Sequence, residues 1–111
     1  MNLEFHKKDD KVIVDLIGEL DHHNAEEVRV KIDDRIDRDN IKKLILNFKD
    51  VTFMDSSGIG AVVGRYKKIT SKGGMLCVAD VNRGVQRVFK LSGLFKIIKG
   101  YNDVAEALKH I

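Results

Sequence analysis

The sequence predicts an α/β fold: a small mixed, mainly parallel sheet with helices packed on it, entered through an N-terminal antiparallel hairpin. Three observations lead there. Two apolar runs at the start of the chain are separated by a short polar turn. Further apolar runs then alternate with stretches whose apolar residues recur at steps of three and four. That alternation implies parallel strands joined by right-handed crossovers. The chain has 111 residues, 43 % apolar and 33 % charged, with no proline. One domain spanning residues 1–111 is therefore expected, with no Pro-rich linker to divide it.

Leu3–Lys7 and Lys11–Ile17 read as the two hairpin strands, with Lys8-Asp9-Asp10 as the turn. The second is almost wholly apolar, which places it inside the sheet. Gly18–His23 reads as a loop. Asn24 then caps a helix, with Glu27 three residues on completing a capping box. Ala25, Val28, Ile32 and Ile36 form its inward stripe, and Asp39-Asn40 ends it. Lys43–Phe48 is the next strand, followed by the polar stretch Lys49–Thr52. After the turn Phe53–Gly60, the residues Ile59, Val62, Val63, Tyr66 and Ile69 mark one face of a helix that runs to about Lys72. Gly73-Gly74 stops it. Met75–Ala79 is a short strand. Asn82 caps a helix with Val85, Val88, Phe89 and Ser92 inward, ended by Gly93. Leu94–Ile98 is assigned to a last, peripheral strand. Asn102 or Asp103 opens a final helix with Val104, Ala105, Leu108 and Ile111 facing in.

Charge and cysteine usage narrow the function classes. Twenty Lys and Arg stand against 17 Asp and Glu, a net charge of +3. The basic residues are interspersed with acidic ones, as in Lys31-Ile32-Asp33-Asp34-Arg35, and aromatics are few. That pattern does not suggest a nucleic-acid groove. No apolar run approaches the roughly 20 residues of a membrane span, and no signal-peptide h-region is apparent. The one cysteine, Cys77, has no partner for an internal disulfide. A cytoplasmic protein that binds neither nucleic acid nor membrane is the expectation.

The stretch that carries chemistry is Phe53-Met54-Asp55-Ser56-Ser57-Gly58-Ile59-Gly60, where a strand gives way to a helix. Gly58, Gly60 and Gly64 are spaced G-x-G-x-x-x-G, one residue longer than a dinucleotide fingerprint, and no Gly-Lys-Ser/Thr forms a phosphate loop. The three glycines are assigned to a tight turn and close packing, which also leaves Ser56 and Ser57 uncrowded. D-S-S-G is not the G-x-S-x-G of a nucleophile elbow, so no catalytic residue is assigned. Asp21-His22-His23 lacks the further ligands of a metal set, and no metal or cofactor is expected. Two readings of the serines remain open on these grounds. The hydroxyls cap the helix, or one of them accepts a phosphoryl group beside free N–H groups and a favourable dipole. Capping chemistry does not distinguish Ser56 from Ser57.

Four blocks, Gly18-Glu19-Leu20-Asp21-His22-His23, Phe53–Gly60, Gly64-Arg65-Tyr66-Lys67 and Leu91–Ile98, occur in an order that resembles the bacterial anti-sigma factor antagonists of the STAS domain class, and the first of them resembles their sporulation branch. The resemblance covers essentially the whole chain. It implies a protein without catalytic activity, monomeric when free. Unphosphorylated, it binds an anti-sigma factor that is also a nucleotide-bound serine kinase, and so releases the sigma factor for sporulation transcription. It implies phosphorylation at Ser56, the serine after the motif aspartate, which switches binding off, and a PP2C-type serine phosphatase that restores it. Asp21, Asp55, Ser57, Gly58, Ile59 and Gly60 are the partner-binding residues that the resemblance carries over. A nucleotide-binding protein and a constitutive protein-interaction module are the alternatives.

Overall fold

The computed structural model describes the chain from Met1 to Ile111. Its elements are β1 (Asn2–Lys8), β2 (Lys11–Leu20), α1 (Ala25–Asp39), β3 (Lys43–Met54), α2 (Ser56–Ser71), β4 (Met75–Ala79), α3 (Arg83–Ser92), a 3-10 turn (Leu94–Lys96), β5 (Lys99–Tyr101) and α4 (Val104–His110). The five strands lie in sequence order, β1-β2-β3-β4-β5. β1 and β2 are antiparallel, and every other pair is parallel. The mixed α/β fold and the N-terminal hairpin are as the residue pattern predicts.

Each crossover from β2 to β5 steps one strand in the same direction. Right-handed connections therefore place α1, α2 and α3 on one face of the sheet. The core agrees: Val28, Ile32 and Ile36 of α1, Val62 and Ile69 of α2, and Val85 and Phe89 of α3 share one buried cluster with Val14, Leu46 and Val78 of the strands. The opposite face is covered by α4, whose Ala107 packs with Ile13, Ile45, Cys77 and Ala79. Burial there pushes the Cys77 thiol up to about 12, so it stays protonated at neutral pH.

Several elements differ from the sequence expectation, each for a packing reason. β2 and β3 run past Ile17 and Phe48 to Leu20 and Met54, because pairing resumes after a bulge with Gly18 opposite Val51 and Leu20 opposite Met54. Gly18, at φ 121°, takes a conformation there that other residues rarely adopt. Leu94–Ile98 is not a strand. The Leu94 carbonyl accepts from the N–H groups of Ile97 and Ile98, and Leu94 and Ile98 both turn into the core. The last strand is thereby displaced to Lys99–Tyr101, beside Cys77–Ala79. In α4 it is Ala107 that is buried, while Ala105 is exposed. Ser92, expected inward on α3, is also exposed.

The α1–α2 contact contains a charge that apolar periodicity does not reveal. Arg65 of α2 is buried on the helix face that carries Ala61, Val62 and Ile69. Its Nε lies 2.7 Å from Asp33 Oδ1 of α1, with side chains 8 % and 18 % exposed. The N–H is not aligned on that oxygen, so the contact is an ion pair rather than a hydrogen bond. Arg65 Nη1 donates to the Ala61 carbonyl at 3.2 Å. Burial lowers the Arg65 pKa, and the Asp33 charge opposes that shift. Removing one member of such a pair strands the other in a poorly solvated place. Asp33→Ala is expected to destabilise the fold by about 3 kcal/mol in urea unfolding, whereas the double change Asp33→Leu/Arg65→Met stays close to the parent.

Candidate functional site

β2 and β3 are parallel neighbours whose last residues, Leu20 and Met54, are register partners. Each strand leads from the same sheet edge towards a helix. The β2–α1 loop and the β3–α2 junction therefore adjoin at the carboxyl ends of the strands, the edge where open α/β sheets bind their ligands.

Asp55 is the single residue between β3 and α2. With an extended backbone (φ −117°, ψ −169°), it is the N-cap of α2. Its Oδ1 accepts from the N–H groups of Ser57 at 2.9 Å and Gly58 at 3.3 Å. Its Oδ2 accepts from the N–H of His22 at 3.1 Å. One carboxylate thus caps the helix and fastens the neighbouring loop. The sequence reading allowed the serine hydroxyls to be the cap. The structure assigns capping to Asp55 because its backbone, not that of Ser56, has left the helix. Ser56 is the first helical residue, exposed, and its hydroxyl takes no part in the side-chain hydrogen bonds. Ser57 is half-buried. The expectation that a phosphate here would meet free N–H groups also changes, since those of Ser57 and Gly58 are already bound by Asp55.

The β2–α1 loop is organised by Asp21. Its Oδ1 accepts from the N–H groups of His23 and Asn24 and from the Asn24 side chain, each at 3.1 Å. Burial pushes the Asp21 carboxyl up, but the donors around it, led by the Asn24 N–H, outweigh this and hold it below the usual carboxylate range. The capping box expected of Asn24 and Glu27 does not form. The Asn24 amide donates to the Glu19 carbonyl at 2.9 Å, and Glu27 pairs with Lys31 at 2.6 Å. The Asn24 N–H that Glu27 would have reached is taken by Asp21, and the Asn24 side chain turns to Glu19 and Asp21, away from the first turn of α1.

Only one of the three glycines, Gly58, is required by packing. A Cβ on Gly58 would stand 2.5 Å from both the Leu20 carbonyl oxygen and Met54 Cγ, so close seating of α2 on the strand ends requires glycine there. Gly60 and Gly64 have no atom within 4 Å of such a Cβ, and the packing role expected of them does not hold. Gly60 is exposed and Ile59 half-buried, one turn into α2 beyond Ser56. Phe53, given no separate role by sequence, stands 50 % exposed on the same edge. Alternation from the buried Val51 would turn it inward, but a register shift between Gly18 and Glu19 of the neighbouring strand breaks the alternation, and Met54 is buried while Phe53 faces out. Of the residues named from sequence, the structure brings Asp21, Asp55, Ser56, Ser57, Ile59 and Gly60 to one sheet edge. Gly58 is there too, but buried.

Comparison with known proteins places this geometry. The STAS domain family profile matches residues 2–107. An anti-sigma F factor antagonist of Paenibacillus polymyxa is 43 % identical, over 100 % of this chain and 97 % of its own. The solved structure of the unphosphorylated anti-sigma factor antagonist SpoIIAA superposes with a TM-score of 0.83 at 32 % identity, covering 96 % of this chain and 93 % of that one. The phosphorylated form of the Bacillus cell fate determinant SpoIIAA superposes at 0.75 with 31 % identity, covering 97 % of each chain.

Two contrasts test the site's construction in chemical unfolding. Asp55→Ala should destabilise by about 1–2 kcal/mol, the cost of a lost cap, while Ser56→Ala stays within about 0.5 kcal/mol of the parent. Equal losses would return the cap to Ser56. Gly58→Ala should cost about 1–3 kcal/mol through overpacking, whereas Gly60→Ala should be neutral or gain about 0.5 kcal/mol from helix propensity.

Proposed function

The chain belongs to the STAS domain family, and on that footing we propose that it is an anti-sigma factor antagonist whose binding is switched by phosphorylation of Ser56. The observation that carries this reading is the Ser56 hydroxyl, exposed and uncommitted on a turn that Asp55 holds in place. A residue acted upon by another enzyme needs that accessibility. A nucleophile would need a base, and neither His22 nor His23 is hydrogen-bonded to Ser56. The reading is of one STAS domain, residues 1–111, working in the cytoplasm as a binding protein with no reaction of its own.

In this mechanism the unphosphorylated chain presents Asp21, Asp55, Ser57, Ile59 and Gly60 to an anti-sigma factor that is a nucleotide-bound serine kinase. Gly58 contributes from beneath by seating the helix. Binding frees the sigma factor, in the sporulation programme that the relative's name suggests. The kinase then transfers a phosphoryl group to Ser56, which adds about −1.5 to −2 charges at neutral pH. The Asp55 carboxylate stands next in the chain and already holds the N–H groups of Ser57 and Gly58, so the new charge adds to an existing one. The surface facing the kinase becomes strongly negative, and the complex separates. A PP2C-type phosphatase resets the cycle. The likeness to SpoIIAA, solved in both unphosphorylated and phosphorylated forms, supports a switch of this kind.

Incubation with the anti-sigma factor and ATP, followed by mass spectrometry, should find one phosphate on Ser56. Modification elsewhere, Ser57 included, would overturn the site. In binding assays Ser56→Ala should retain affinity and Ser56→Asp should lose about tenfold, near 1.4 kcal/mol. Equal affinities would favour a constitutive interaction module.

A further inference from the structure

Residues 81–102 contain five cations, Arg83, Arg87, Lys90, Lys96 and Lys99, and no carboxylate, whereas the rest of the chain holds 15 basic and 17 acidic residues. All five are exposed, and none has a carboxylate within ion-pair distance. α1 shows the opposite arrangement: its Arg29, Lys31, Arg35 and Arg38 are each paired with an acid of the same helix. The sequence reading of interspersed charge thus holds for α1 and fails for α3. Arg83, Arg87, Lys90 and Leu91 follow i, i+4, i+7, i+8 spacing, so they share one helix face, and with Gln86 they line a shallow open groove. Leu91 is 83 % exposed, an aliphatic side chain set among unneutralised cations.

This stripe is continuous with the site. α2 and α3 both start at the carboxyl ends of neighbouring parallel strands. Asn82, the N-cap of α3, donates from its side chain to the Val51 carbonyl at 2.8 Å, two residues before the exposed Phe53. The stripe therefore begins at the edge that carries Phe53 and Ser56 and runs down α3 from there.

We infer that the outer face of α3 is the second half of the docking surface, and that it receives an acidic segment of the anti-sigma factor with an apolar residue seated on Leu91. This rests on the antagonist reading above. The chemistry selects a protein over the other anionic partners. A single-stranded nucleic acid would be held by stacking on aromatics interleaved with the cations, but the exposed Phe53 lies beyond the end of the α3 stripe, and Phe95 is half-buried and stacked on Phe89 with centroids 4.9 Å apart. A bilayer would take the apolar face of an amphipathic helix, but Val85 and Phe89 of α3 are already in the core. A shallow basic groove with one aliphatic side chain at its far end matches an acidic protein surface. It also gives the switch its sign. The partner is drawn in by α3 and repelled by a phosphate at Ser56, so attraction and repulsion act on the same acidic surface.

The test is association kinetics of the full chain, unphosphorylated, with its anti-sigma factor, from about 0.05 M to about 0.5 M salt. Arg83→Ala/Arg87→Ala/Lys90→Ala should associate about tenfold more slowly than the parent at low salt, and the gap should close at high salt. Leu91→Ser should instead raise the dissociation rate at every salt concentration. Unfolding curves matching the parent show that these exposed changes leave the fold intact. Parent-like rates and salt dependence in the triple variant would overturn the α3 assignment while leaving the antagonist reading standing. A parent chain that does not bind the anti-sigma factor would overturn both. Binding to phosphatidylserine vesicles or to a DNA 20-mer that the triple variant loses, with unchanged kinetics toward the anti-sigma factor, would reassign the face and overturn the proposal.

Discussion

The structure at the functional edge depends on the two oxygens of one carboxylate. Asp55 divides them between the first turn of α2 and the loop that leads into α1, through Ser57, Gly58 and His22. Two segments 33 residues apart in sequence are thereby held as one surface. The backbone repeats the link, since the Asp55 N–H meets the Leu20 carbonyl at 3.4 Å. Gly58 completes it from below, because no other residue lets the helix sit so close to the strand ends. The motif Asp-Ser-Ser-Gly thus reads as a division of labour: an aspartate that builds, a serine left free, a second serine that lends its N–H, and a glycine that makes room.

Much of this was legible in the residues. Alternating apolar runs and helical stripes foretold the element order, the antiparallel hairpin and the interior position of β2. Local periodicity reports which side of an element is apolar, and in this chain the sides are distinct. It says less about where pairing continues. The extension of β2 and β3 past polar residues such as Asp50 and Thr52 follows from register with the neighbouring strand, a property of two segments at once. The displaced last strand has the same origin: Leu94 and Ile98 look strand-like in isolation, and only the core they reach turns them into a compact corner. The capping errors at Asn24 and Ser56 share a cause. At both sites an aspartate nearby takes backbone donors: Asp55 caps α2 outright, whereas Asp21 ties the turn before α1 and leaves that helix without a side-chain cap.

Charge was the least legible property. The buried Arg65 sits on an apolar helix face because Asp33 arrives from a different helix, and no local pattern announces that meeting. Conversely, the overall balance of +3 conceals an uneven surface. The cations of α1 pair with its own acids, Arg65 and Lys68 of α2 pair with Asp33 and Asp37 of α1, and α3 is left with three unpaired cations. Net charge describes a chain, whereas recognition acts on faces.

Because the Ser56 hydroxyl has no part in holding α2, chemistry at that oxygen is uncoupled from the integrity of the domain. A hydroxyl that also capped the helix would be committed to a backbone N–H and less open to another molecule. Here the burden of the cap rests one residue earlier. The surface at Ser56 can therefore be altered by substitution with little cost to the turn beneath it.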